Sequence, residues 1–141
     1  MSTMQITFPG GVAVDAHFRG FTVHTDQRVD HGGAETGPEP FELFLASLGT
    51  CAGLYALRFC QQRGIDPTGL GLTLITEKDP NAPRIGLVRM EIQLPPAFPE
   101  KYRDAIVRAA DQCAVKRHVL EPPRLEVVAV PAGRPVEVLM V

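Results

Sequence analysis

The sequence predicts an α+β domain, antiparallel sheets packed on two core helices, and three observations lead there. The elements read in the order β-β-β, long α, β-β, α, β-β, and strands that follow one another without a crossover helix pair antiparallel. The 141 residues fit one domain, taken as 1–141, with room for a core of ordinary size. Hydrophobic residues make up 45% and charged residues 21%, close to soluble averages and far from a disordered composition.

The first forty residues read as strands. Met4–Phe8 is a short apolar run closed by the turn signal Pro9-Gly10-Gly11. Val12, Val14, Ala16 and Phe18 alternate with Ala13, Asp15, His17 and Arg19, the period of a half-buried strand. Gly20 breaks the pattern and Phe21–Thr25 resumes it as a hairpin partner. Asp26 to Pro40 is polar and rich in Gly and Pro, a loop long enough to imply function or mobility.

Phe41 to about Arg63 is the strongest helix. Phe41, Phe44, Leu45, Leu48, Cys51, Ala52, Tyr55 and Phe59 follow the helical repeat, and the opposite side is also mostly apolar. The uncharged stretch between Glu42 and Arg58 is shorter than the roughly twenty residues that cross a bilayer, so a core helix is expected. Pro40 suits its first turn and Gly64 stops it. Strands follow at Leu70–Glu77 and Ile85–Leu94, then a second helix from about Pro99 to Asp111 with Tyr102, Ala105, Ile106, Ala109 and Ala110 inward. The stretch from Cys113 to Leu120 either continues that helix or forms a short separate one. Leu125–Val130 and Val136–Met140 are the expected closing strands.

Charge and composition exclude several functions. The formal net charge is −2 and no run of Lys and Arg exceeds two residues, so no nucleic acid or anionic membrane partner is expected. Aromatics are 6% with no Trp, which leaves no stacking platform for bases. His17, His24, His31 and His118 show no HxxH or HExxH spacing, and there is no CxxC; no metal and no cofactor is expected. Met1–Phe8 lacks the basic and apolar regions of a signal peptide. Three cysteines make a poor secreted framework, and a cytoplasmic protein is expected.

Cys51 and Cys60 lie nine residues apart on one helix, about 13.5 Å along its axis, too far for a disulfide with its limit of about 7 Å. Any intramolecular partner for either is Cys113. A Cys on an apolar helix face is ordinarily a small core residue. Cys113 differs, because Lys116, Arg117 and His118 follow it; at the opening of a helix, free N–H groups and cations favour a thiolate. Cys60 receives no role.

Two stretches, Gly37-Pro-Glu-Pro-Phe-Glu-Leu-Phe-Leu-Ala-Ser-Leu-Gly-Thr-Cys51 and Gln112-Cys113-Ala-Val-Lys-Arg-His118, resemble the OsmC/Ohr family. The second cysteine follows the first by 62 residues, and the element order agrees over essentially the whole chain. The Pro40-Phe41-Glu42-Leu43 motif is closer to the OsmC-like subgroup than to the organic hydroperoxide resistance proteins. The resemblance implies the OsmC-like fold in an intertwined homodimer, with thiol sites near the subunit interface. It also implies reduction of small organic hydroperoxides in oxidative stress defence. Cys51 would be the thiolate that becomes a sulfenic acid, Cys113 the thiol that condenses with it to a disulfide, and a dithiol reductant would restore both. The family's peroxidases place a Glu directly after the motif's Pro and pair it with an Arg of the N-terminal strands. In this chain Phe41 takes that place and no Arg follows Gly10-Gly11. Glu42 is therefore the candidate carboxylate, and Arg28, with Arg19, the candidate cation.

A mid-helix Cys51 is out of reach of its own helix N-terminus, and apolar surroundings raise a thiol's pKa. Activation thus calls for a cation, with Arg28, His31, Lys116 and Arg117 as candidates. The rival expectation is a non-catalytic dimer that binds a small hydrophobic ligand, its cysteines serving as packing.

Overall fold

The structure, a computed structural model, describes residues 3–133. The strand expected at Val136–Met140 lies outside them. The chain divides into two compact units, Met1–Glu42 with Pro123–Val141, and Leu43–Pro122.

The first unit carries a three-stranded antiparallel sheet in the order β1-β2-β3, with β1 at Gln5–Gly10, β2 at Ala13–Phe18 and β3 at Phe21–Thr25. The β2–β3 turn is Arg19-Gly20, with φ of 49° and 82°, the two positive angles of the hairpin turn that matches strand twist. Arg19 is held at that tip, its guanidinium 5.7 Å from the Phe21 ring centroid. β1 runs past Phe8, the expected end, through Pro9 to Gly10. Its register shifts between Thr7 and Gly10, and on an edge strand with an irregularity proline breaks no ladder.

The expected loop after β3 is clasped by one buried carboxylate. Asp26 is 3% exposed, and its Oδ1 accepts the Gln27 N–H at 2.8 Å. Its Oδ2 accepts the Ala34 N–H at 3.2 Å, the Thr36 N–H at 3.1 Å and the Thr36 hydroxyl at 2.7 Å. Gly33 is obligatory, since a Cβ there would stand 1.9 Å from the Gln27 carbonyl oxygen. The Thr36 hydroxyl first, then the backbone donors, lower the Asp26 carboxyl from the ordinary 3.8 to about 2. A depressed folded value stabilises fully above the unfolded one and is lost as pH falls through the folded one. The wild type should therefore lose thermal stability between about pH 3.8 and pH 2 more steeply than Asp26→Asn. Equal slopes in the two acid titrations contradict this assignment.

The long helix α1 is Pro40–Gln62, one residue displaced at each end from the expected Phe41–Arg63. Pro40 occupies the first turn, where its missing N–H costs nothing. The Glu42 carboxylate reaches back to accept the Glu39 N–H at 2.9 Å, one half of a capping box. By length and hydropathy α1 also passes the test for a membrane span. Its buried stripe is Leu48, Ala52, Ala56, Phe59 and Cys60.

The second unit places that stripe against two shorter helices beside a two-stranded antiparallel sheet. β4 is Gly71–Lys78 and β5 is Ile85–Gln93, paired so that Leu72 faces Ile92 and Leu74 faces Met90. A single 3₁₀ turn, Glu100–Tyr102, leads into α2, Arg103–Ala110. α3, Ala114–Leu120, is a separate helix, which settles the alternative left open for Cys113–Leu120. Ala52, Ala56, Phe59, Cys60, Ile106, Ala110 and Cys113 form one buried cluster, with Tyr102, Ala105 and Ala109 packed against it. The inward face expected of the second helix is thus the observed one.

One expected element is corrected. Leu125–Val130 forms no strand, and Leu125, Val127 and Val128 are 86%, 100% and 77% exposed. β propensity expresses packing against neighbouring strands, and among the described residues this segment has no strand beside it.

Candidate functional site

The site forms where the first turn of α3 meets the middle of α1. Cys113 is the N-cap of α3, with the non-helical angles φ −47° and ψ 121°. Its sulfur accepts the Lys116 N–H at 3.4 Å. Its thiol points to the Leu48 carbonyl of α1, 3.9 Å away. Cys113 is fully buried, whereas Cys51 is half-buried.

The other free N–H groups of that first turn serve Cys51. A helix N-terminus leaves its leading N–H groups without intrahelical acceptors, and together they carry partial positive charge. The N–H groups of Val115 and Ala114 and the Cys113 side chain act on the Cys51 sulfur in favour of its thiolate, and Cys51 packs against the buried cluster that contains Cys113. Burial raises the Cys51 thiol. The Val115 N–H, the Cys113 side chain, the Ala114 N–H and the Arg117 charge outweigh it, so Cys51 sits below the ordinary cysteine value. Cys113 moves the other way: burial raises it most, and its contacts with Cys51 add to the rise against the Lys116 N–H. The pair therefore divides into a thiolate-forming sulfur and a proton-holding one. Cys60, fully buried, is raised by burial alone.

Cys51 lies eleven residues into α1, far from its own helix N-terminus, and the expected rise from apolar surroundings is offset by a different helix N-terminus. The one that acts belongs to α3, brought in by tertiary folding. Of the four candidate cations, Arg117 contributes to Cys51. Its replacement, Arg117→Gln, should move the pH dependence of Cys51 alkylation upward and slow it a few-fold at neutral pH, with recovery in alkali. A superimposable pH profile excludes a role for the charge.

Glu42 and Arg28 have other partners. Arg28 pairs with Asp30 at 3.2 Å, and among the described residues no ion pair joins it to Glu42. A second carboxylate, Glu39, also gathers this loop, and sequence reasoning missed it. It accepts the Arg28 N–H at 3.4 Å and faces His31 Nδ1 at 2.6 Å. The Glu39 contact raises His31, and His31 in turn lowers Glu39. His17 lies on the sheet between Thr7 and Thr22 at 2.8 and 3.0 Å, the ordinary polar role expected of it. Among the described residues no three His, Cys, Asp or Glu are grouped to hold a metal ion.

A cavity of about 340 Å³ in the same unit is lined by Ala52, Leu72, Met90, Ile92 and Val107 together with the charged Arg103, Asp111 and Lys116, and neither thiol is in its wall. Ala52 follows Cys51 in α1, and the Lys116 N–H is the one bonded to Cys113. Its walls mix apolar and charged side chains, and its volume falls within the range of small-ligand pockets, about 300–1,000 Å³.

The model of the family described as OsmC-like protein matches residues 31–128. No curated protein matches the chain. Among solved structures, an OsmC like protein from Mycoplasma pneumoniae superposes with a TM-score of 0.68 at 14% identity, covering 85% of this chain and 87% of that one. A Psychrobacter arcticus protein named for osmotic stress induction and a detoxification response gives 0.67 at 23% identity, over 83% and 87% of the two chains. An organic hydroperoxide resistance protein OsmC from Legionella pneumophila gives 0.58 at 14% identity, over 84% and 88%. At these identities the likeness is one of fold. The family match takes in both the helix that carries Cys51 and the α2–α3 stretch that carries Cys113, and the chain belongs to the OsmC-like protein family.

Proposed function

We propose that the chain is a thiol-dependent peroxidase of small organic hydroperoxides, acting in defence against oxidative stress through Cys51 and Cys113. The carrying observation is that folding sets Cys51 against the buried cluster holding Cys113, at the opening of α3, with Cys51 shifted down and Cys113 up. The Cys51 thiolate attacks the terminal peroxide oxygen, and the O–O bond breaks. Cys51 becomes a sulfenic acid, and the alkoxide leaves as an alcohol with the proton that Cys113 held. The Cys113 thiolate then attacks the sulfenic sulfur. Its hydroxide leaves as water after taking a proton from solvent, and a disulfide remains. Two thiols and one hydroperoxide thus give one disulfide, one alcohol and one water. A dithiol reductant returns both thiols by exchange.

Other features support this reading. Half-burial of Cys51 admits a small oxidant, while full burial of Cys113 reserves it for the sulfenic acid. The apolar part of the cavity wall, Leu72, Met90, Ile92 and Val107, suits the organic part of the substrate. The Legionella pneumophila structure of the same fold is named an organic hydroperoxide resistance protein. Glu42 and Arg28 enter the proposal as residues that order the loop and first turn leading into α1.

The proposal takes residues 1–141 as one family domain in a homodimer. The apolar surface left open, Leu54 on α1 and separately Leu125, Val127 and Val128, suits burial against a second copy. A chain that cycles between thiols and a disulfide also suits the reducing cytoplasm.

The test is turnover. Cumene hydroperoxide should be consumed catalytically with dithiothreitol as reductant, one disulfide of reductant forming per peroxide lost. Consumption no faster than without protein rejects the enzyme. A non-catalytic binder of a small hydrophobic ligand then remains, favoured by the same cavity.

A further inference from the structure

A second cleft lies between α1 and α2, with neither cysteine of the pair in its lining. It measures about 530 Å³ and is lined by three guanidinium groups, those of Arg58, Arg63 and Arg108. Tyr55, Gln62 and Gln112 supply neutral polar groups around them. The spacing is helical: Arg58 and Gln62 are four residues apart on α1, as are Arg108 and Gln112 on and just after α2, so each pair shares a face. Ala105 and Ala109 are the α2 residues between them, and their small side chains leave the cleft open.

Four other arginines are paired with carboxylates, while Arg19, Arg89 and Arg117 stand apart from the cleft without one among the described residues. Arg28, Arg84, Arg103 and Arg124 pair with Asp30, Asp79, Glu100 and Glu126. Arg58, Arg63 and Arg108 have no carboxylate partner among the described residues. Asp111, the nearest acid in sequence after Arg108, is held by Lys116. Helix-end carbonyls do not absorb the donors either: those of Cys60 and Gln61 already accept the Arg63, Ile65 and Gly64 N–H groups. Three like charges lining one cleft repel one another until an anion enters it.

Arg63 is also held in place. Its guanidinium carbon stands 3.7 Å from the Phe59 ring centroid and 5.6 Å from that of Tyr102. A stacked guanidinium keeps its N–H edges available for bidentate bonding. Fork-shaped donors match the paired oxygens of phosphate better than a point charge does.

We propose that this cleft binds a small phosphate-bearing molecule, with a diphosphate group as the recognised element. Adjacent phosphates present enough terminal oxygens to engage three forks, and their multiple negative charges match three cations. A single carboxylate would leave two of the three unneutralised.

Isothermal titration of the full chain with inorganic pyrophosphate at fixed ionic strength tests this. Saturable binding is expected, weakened about tenfold or more in Arg108→Gln and lost in the Arg58→Gln/Arg108→Gln double variant. Both substitutions fall at exposed positions, and circular dichroism of the variants confirms that they fold. Absence of saturable heat, equal affinity in the double variant, or the same response to sodium chloride overturns the site. So does binding to phosphatidylcholine vesicles containing phosphatidic acid without binding to pyrophosphate, which would assign the charge to a lipid surface. None of these outcomes depends on hydroperoxide turnover.

Discussion

Cys51→Ser is expected to reduce hydroperoxide turnover by on the order of 10³-fold or more, to the level of the uncatalysed reaction. The α3 N–H groups and Arg117 act on the sulfur because a thiol lies near enough to ionisation to be converted. An alcohol does not, so the same donors around a Ser oxygen generate no nucleophile at neutral pH. Cys60→Ala provides the contrast. Cys60 is fully buried in the core cluster and raised by burial, so its loss costs some stability and leaves turnover per folded molecule within about twofold of the wild type. Comparable activity in Cys51→Ser and Cys60→Ala removes Cys51 from the chemistry.

Ile106→Ala is expected to cost about 2–5 kcal/mol of stability. Ile106 is 0% exposed and stands in the cluster that joins α2 to the Ala52, Ala56 and Phe59 face of α1. Removal of its outer carbons leaves a cavity bounded by two helices that cannot close on it without shifting. Cys113 belongs to the same cluster, so alignment of the thiol pair should suffer as well, read as slower alkylation of Cys51. Urea denaturation measures the stability effect as a lowered midpoint at unchanged slope. A loss below about 1 kcal/mol shows that the site collapses freely and that the cluster is not the clamp between the helices.

Much of this fold is legible in the sequence because its elements are locally specified. The β2–β3 hairpin follows from strict alternation around Gly20. α1 follows from its repeat between Pro40 and Gly64, and the inward face of α2 from Tyr102, Ala105, Ile106, Ala109 and Ala110. Leu125–Val130 shows the limit. Its β-branched, apolar composition is that of a strand, but a strand exists only with a neighbour, and no local pattern states whether one is present.

The site divides along the same line. Cys51 and Cys113 are visible through a resemblance of motif, and the sequence points to a helix-opening thiolate at Cys113. Folding assigns the two effects differently: Cys113 caps α3, and the first-turn N–H groups it leaves free reach Cys51 on another helix. That contact spans more than sixty residues of chain, and it reverses the pKa direction that burial in α1 alone would produce. The Asp26 and Glu39 clasps were hidden for a related reason. A carboxylate in a polar loop shows no periodicity, and its partners are backbone N–H groups and a Thr or His side chain eight to ten residues away, which no residue type announces.

The central claim is that Cys51 and Cys113 form one redox pair while Cys60 stands apart. Treatment of the fully reduced chain with one equivalent of cumene hydroperoxide, followed by alkylation and peptide mass mapping, tests it most directly. The expected result is the loss of two thiols, a Cys51–Cys113 cross-linked peptide and Cys60 recovered in alkylated form. Three thiols still reduced, or a cross-link that includes Cys60, contradicts the claim.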